Sequence, residues 1–148
     1  MTQPTIKLDY GSNGEAVPGR RLAFTSPLDF EATALALEKA IVAADLWVLH
    51  RIETQMLLAK GGYEIRPLRQ LLFFHPRYMA RLLTTNSTAI VEVPLKFVIM
   101  AFADGSVRVL HPDIRTAFAS YSGLADLGAE LADVVDQITS SLEATAPA

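Results

Sequence analysis

Two long stretches of the chain carry apolar residues at helical spacing, and several short ones alternate in the manner of strands. From Phe30, the positions Phe30, Ala34, Leu37, Ile41 and Ala44 recur at steps of four, three, four and three, which is one face of an amphipathic helix. Ser26 reads as its N-cap, with Pro27 at the first helical position and Asp29 completing a capping box. A second stripe, Leu124, Leu127, Leu131, Val134, Val135, Ile138 and Leu142, predicts a closing helix over 124–142, with Asp126, Glu130, Asp133 and Asp136 largely off it. Strands are predicted at 21–25, 46–52, 68–74, 95–102 and 107–110, and a marginal edge strand near Ile6–Tyr10. In 46–52 the alternation puts Leu46, Val48, His50 and Ile52 on one face and Trp47, Leu49 and Arg51 on the other. Shorter helices are predicted at 53–60, ended by Gly61-Gly62, from Pro76 onward with Met79, Leu82 and Leu83, and at 113–120. Ala103-Asp104-Gly105-Ser106 predicts a hairpin with a type I′ turn, because Asp-Gly accepts positive φ.

This order of elements implies an α+β two-layer sandwich: a mostly antiparallel sheet of four or five strands packed with helices and closed by the long C-terminal one. Residues 20–142 form the single domain, after a flexible lead at 1–19 and before a flexible tail at 143–148. The central strands are apolar on both faces: Leu68, Leu72 and Phe74 oppose Leu71 and Phe73, and Val98, Met100 and Phe102 oppose Leu95, Phe97, Ile99 and Ala101. An antiparallel sheet with one wet face should alternate instead. Both faces need cover, and a second copy of the chain would supply it, so a homodimer is expected.

Composition changes the picture by exclusion. The chain has 148 residues, 51% of them hydrophobic, and no cysteine, which rules out disulfide frameworks and thiolate ligands. The N-terminus lacks the basic-then-apolar pattern of a signal peptide, and no run of about 18 apolar residues occurs. A cytoplasmic protein without membrane association is expected. A net charge of −3 argues against nucleic acid as a partner. Charge is unevenly placed, with Arg51, Lys60, Arg66, Arg69, Arg77 and Arg81 in the middle and acids dominating after residue 113. These halves could complement one another within or between subunits.

Candidate chemistry is sparse. His50 lies late in its strand, and His75 and His111 each stand between a strand and a proline that opens a helix. Imidazole is the natural ligand for a haem or metal where thiols are absent, so these three are the candidate cofactor residues. No H-x-H or H-E-x-x-H spacing joins any two of them, and no metal site is expected. A histidine before proline at such a junction can instead cap the helix or fill an extended position. Arg77 and Arg81, one turn apart, could clamp an anion, or could form a solvated face or pair with the acidic C-terminal helix. Glu92 stands amid apolar neighbours without a second acid to suggest acid–base catalysis. No nucleophile elbow or phosphate loop occurs. The residues favour a non-enzymatic, homodimeric domain that binds a small ligand or a protein partner. The alternative is a haem- or metal-dependent redox protein or enzyme using a histidine near a strand end.

Taken together, DFEATALALEKAIVAADLWVLHRIE, IRPLRQLLFFHP and VPLKFVIMAFADGSVRVLHPD resemble the small bacterial family catalogued as domain of unknown function 302. The matching pieces are Val48 to Glu53, Phe73 to Pro76, Val93 to Val98 and Asp104-Gly105, and the resemblance spans about residues 20 to 140. It implies a two-layer α+β sandwich, commonly dimeric, with no established general activity. Relatives suspected of binding haem make haem the implied cofactor, with no shared ligand motif to carry over. Where the family usually has Asn-Pro, this chain has His75-Pro76.

Overall fold

The computed structural model describes residues 4–10 and 21–143, with the backbone alone at Arg21 and Leu22. GSNGEAVPG, the bulk of the expected flexible lead, and the tail beyond Glu143 lie outside the described residues. In chain order the elements are β1 (Ile6–Lys7), β2 (Arg21–Thr25), α1 (Phe30–Ala43), β3 (Trp47–Glu53), α2 (Thr54–Lys60), β4 (Tyr63–Glu64) and β5 (Leu68–Phe74). They continue with α3 (Pro76–Thr85), a 3-10 turn (Ser87–Glu92), β6 (Leu95–Ala101), β7 (Val107–Pro112), α4 (Ile114–Ala119) and α5 (Ala125–Glu143). Five strands form one antiparallel sheet in the order β2-β7-β6-β5-β3. The protein is thus an α+β sandwich with a long C-terminal helix, and no helix among the described residues is long and apolar enough to cross a membrane. The N-terminal strand pairs in parallel with β4 as a separate ribbon, not as an edge of the main sheet.

The register assigns every strand residue to a face. Val109, Ile99, Leu71, Phe97, Leu95 and Phe73 point to one side and are fully buried with the stripes of α1 and α5 in a single core. The other face has a row running Ala23, Leu110, Val98, Gln70 and Ile52 across all five strands, with Leu68, Leu72 and Met100 beside it. Apart from exposed Ala23, these side chains are half-buried. Tyr10 covers one end, packing edge-on to Phe102 with ring centroids 5.4 Å apart and donating to the Ala101 carbonyl at 2.6 Å.

Four local expectations are corrected. The first helix is capped by Asp29, which accepts from the Ala32 amide at 2.8 Å, so it begins at Phe30. Ser26 instead meets the buried Thr33 hydroxyl at 2.6 Å and accepts from the Leu28 amide, a local bond that competes with capping. In β3 a bulge between Val48 and His50 inserts Leu49 as an extra residue. The alternation therefore breaks, and Trp47, His50 and Ile52 share the open face while Val48, Arg51 and Glu53 share the other. At the hairpin Gly105 takes φ 87° but Asp104 stays at negative φ. Phe102 and Ser106 then close a three-residue loop, with Gly105 in the left-handed position instead of a type I′ turn. Lastly, Pro112 ends β7 and does not open a helix; Asp113 caps α4 by accepting from Thr116.

Candidate functional site

The far end of the open sheet face runs into a groove. Trp47 pairs with Phe74 across β3 and β5 at the sheet margin, and β3 is an edge strand. The bulge turns Leu49 outward beside Trp47, and α3 approaches from the other wall with Pro76, Met79, Ala80 and Leu83. The space between holds about 390 Å³, and the atoms exposed in it are apolar. Trp47, Leu49 and Leu83 are 53%, 45% and 46% exposed, so large apolar side chains face water along one side. A volume of this size falls within the range of small-molecule sites, roughly 300–1,000 Å³.

His75 joins the sheet to this groove. It is the N-cap of α3, with Nδ1 accepting from the Arg77 amide at 3.0 Å. That bond places the hydrogen of the neutral ring on Nε2. The ring lies edge-on to Trp47 with centroids 5.1 Å apart, and it contributes carbon surface to the groove wall. The capping role weighed from the sequence is formed here.

The other candidate residues do not converge on it. His50 is exposed on the open face of β3. His111 is 6% exposed on the helix side of β7, edge-on to Phe97 at 5.7 Å, with Nδ1 3.1 Å from the Pro112 carbonyl. Burial pushes its pKa below the ordinary imidazole value, against the weaker opposing effect of the Pro112 carbonyl and of the Asp136 and Asp113 carboxylates. Among the described residues no three of His, Asp and Glu gather as metal ligands would.

The arginines face partners within the chain. Arg77 donates to the Asp45 carbonyl at 2.7 Å, lies 3.2 Å from its carboxylate and rests over the Tyr78 ring at 4.4 Å. Asp45 has φ 61°, so Arg77 ties down a left-handed turn between α1 and β3. Arg81 pairs with Glu130 of α5, joining the basic middle to the acidic tail within one chain. The other arginines of the basic stretch also meet acids: Arg51 pairs with Glu38, Arg66 with Asp9, and Arg69 with both Glu31 and Glu53. Glu92 accepts from the Tyr121 hydroxyl at 3.0 Å, a contact that raises the tyrosine pKa.

Sequence reading placed Trp47, Leu49 and Leu83 in regular elements and missed the groove they line. Leu83 next to Leu82 was an available signal, since adjacent helical positions point about 100° apart, and Leu83 is 46% exposed where Leu82 is buried.

The model of the family described as Domain of unknown function DUF302 matches residues 22–145. The chain belongs to this family. A solved DUF302 structure, that of an uncharacterized conserved protein from Bacillus stearothermophilus, is similar at 17% identity over 83% of this chain and 95% of that one, with a TM-score of 0.72. At that identity the likeness is one of fold. No curated protein matches. The DUF302 sandwich is accordingly secure, and the groove at its margin has to be read from its own chemistry.

Proposed function

We propose that this DUF302 domain is a non-enzymatic binding module that acts as a homodimer and holds a small, uncharged, apolar molecule between β3 and α3. The groove carries this reading: its walls are apolar, its size suits a small molecule, and a half-exposed tryptophan forms one side. The lining, which contains no carboxylate, lysine or arginine, supports an uncharged occupant, and the two arginines of α3 are matched by Asp45 and Glu130. The homodimer is supported by the second sheet face, where the apolar Val98, Leu110, Leu72 and Met100 are only half-buried. The haem alternative has less behind it, since His75 spends Nδ1 on a helix cap and His50 and His111 lie on opposite faces of the sheet.

The test uses N-phenyl-1-naphthylamine, a neutral apolar fluorophore. Trp47 is the sole tryptophan, so binding should quench its emission with saturation, and Leu83→Asp should abolish the effect while leaving the circular dichroism spectrum intact. Saturable binding that survives Leu83→Asp would place the molecule elsewhere and refute the reading. Light scattering at micromolar concentration should give twice the chain mass of 16.1 kDa. Val98→Glu should reduce it to the monomer, and a monomeric wild type would remove the dimer from the proposal.

A further inference from the structure

The α3 wall of the groove begins at a turn whose first free amide is capped by one atom. The Arg77 N–H points at His75 Nδ1, 3.0 Å away, and Arg77 is flanked on that turn by Pro76 and Met79 of the groove wall. We propose that His75 is a proton-operated latch on this groove. It caps α3 and keeps the wall in place while the ring is neutral, and it releases the first turn when the ring takes a second proton.

The argument is one of donors and acceptors. A neutral imidazole offers one acceptor nitrogen, and here that nitrogen is engaged by Arg77. A protonated imidazole has N–H groups at both positions, so a donor would face a donor and the amide would lose its partner. The new charge would also stand at the positive end of a ten-residue helix, where the macrodipole opposes it. The carbonyl of His75 still accepts from the Tyr78 and Met79 amides at 3.1 and 3.2 Å, so the helix loosens at its first turn without unravelling.

The Trp47 ring, with its centroid 5.1 Å away, gives the cation only a weak favourable contact. The Arg77 guanidinium and the Asp45 carboxylate near this turn already hold each other. The Tyr78 hydroxyl faces Arg77 at 3.3 Å, and β3 presents the Trp47 ring. Among the described residues no carboxylate pairs with the imidazole.

The consequence for binding rests on the groove being the binding site, whereas the latch itself does not. The experiment therefore reads both, comparing wild type with His75→Asn from pH 8 to pH 5. Asparagine is among the best N-caps and supplies an acceptor that takes no proton in this range; His75→Ser serves in the same way if the first variant folds poorly. Two readouts follow the latch: the exchange protection of the Arg77 amide, and Trp47 emission, which an adjacent imidazolium quenches. The third is the affinity for N-phenyl-1-naphthylamine.

In the wild type, acidification should lower Arg77 protection and Trp47 emission together and weaken probe binding about fivefold, the scale of one lost cap. The variant should stay flat in all three, although it keeps His50 and His111. Equal Arg77 protection profiles in the two proteins would overturn the latch, as would emission that titrates while the amide stays protected. If the probe fails to bind even at pH 8, the proposed function falls, and the Arg77 amide still decides the latch.

Discussion

Gly128→Ala tests the closure of the sandwich most sharply, because two effects of opposite sign meet at one atom. Gly128 sits buried inside α5, where it faces α4. A Cβ built there would stand 2.6 Å from Phe118 Cβ and 3.5 Å from the Ile114 carbonyl. Carbon atoms in contact prefer about 3.5–4.0 Å, so α4 and α5 would have to part by roughly 1 Å along this line. Shortening Phe118 to alanine would not relieve the clash, since its Cβ remains. Overpacking of this kind costs about 1–3 kcal/mol, and a contact between two backbone-anchored atoms belongs near the top of that range. Alanine recovers about 1 kcal/mol of helix propensity. The net expectation is a loss of about 1–2 kcal/mol, or about 2–8 °C in melting temperature for a chain of this size. Urea unfolding and calorimetry of the variant measure both quantities. A variant that melts above the wild type would show that α4 and α5 can separate freely, and would refute the close approach as the reason for glycine.

Two further outcomes follow from the same packing. His111 has its folded pKa lowered by burial, so the unfolded chain binds its proton first; the stability this group contributes is complete above about pH 6.5, the unfolded value, and is lost as pH falls through the folded one. His111→Gln should flatten that part of the pH–stability curve in urea titrations, and an unchanged slope would mean that the buried ring is not responsible. At the turn between α1 and β3, Arg77→Ala should cost about 1–2 kcal/mol in chemical denaturation by removing a charged hydrogen bond and its partly exposed ion pair. Asp45→Gly should stay within about 0.5 kcal/mol of wild type, because glycine accepts φ 61° without strain and so offsets the lost carboxylate.

The residues by themselves determined a good deal of this protein. The stripes Phe30–Ile41 and Leu124–Leu142 became α1 and α5 because a helical period is a local property of the chain. The 68–74 strand, the Gly61-Gly62 stop and the Pro76 start came out at their residues for the same reason. The apolar character of both sheet faces was legible too, and the family followed from the motifs those strands carry. What failed were features decided by particular partners, local or distant, that a hydrophobic period does not record. Ser26 gave up its cap because Thr33 stood within reach. Leu49 left the alternation because β5 pairs around it. The need for glycine at 128 arises from α4 folded against it, a contact that no helical period records. The groove exists only because β5 sets Phe74 beside Trp47 and returns α3 over them. A sequence records which residues are apolar and at what period. Which apolar residues are left facing water depends on the register and crossing of elements, and these are settled only when the whole chain packs.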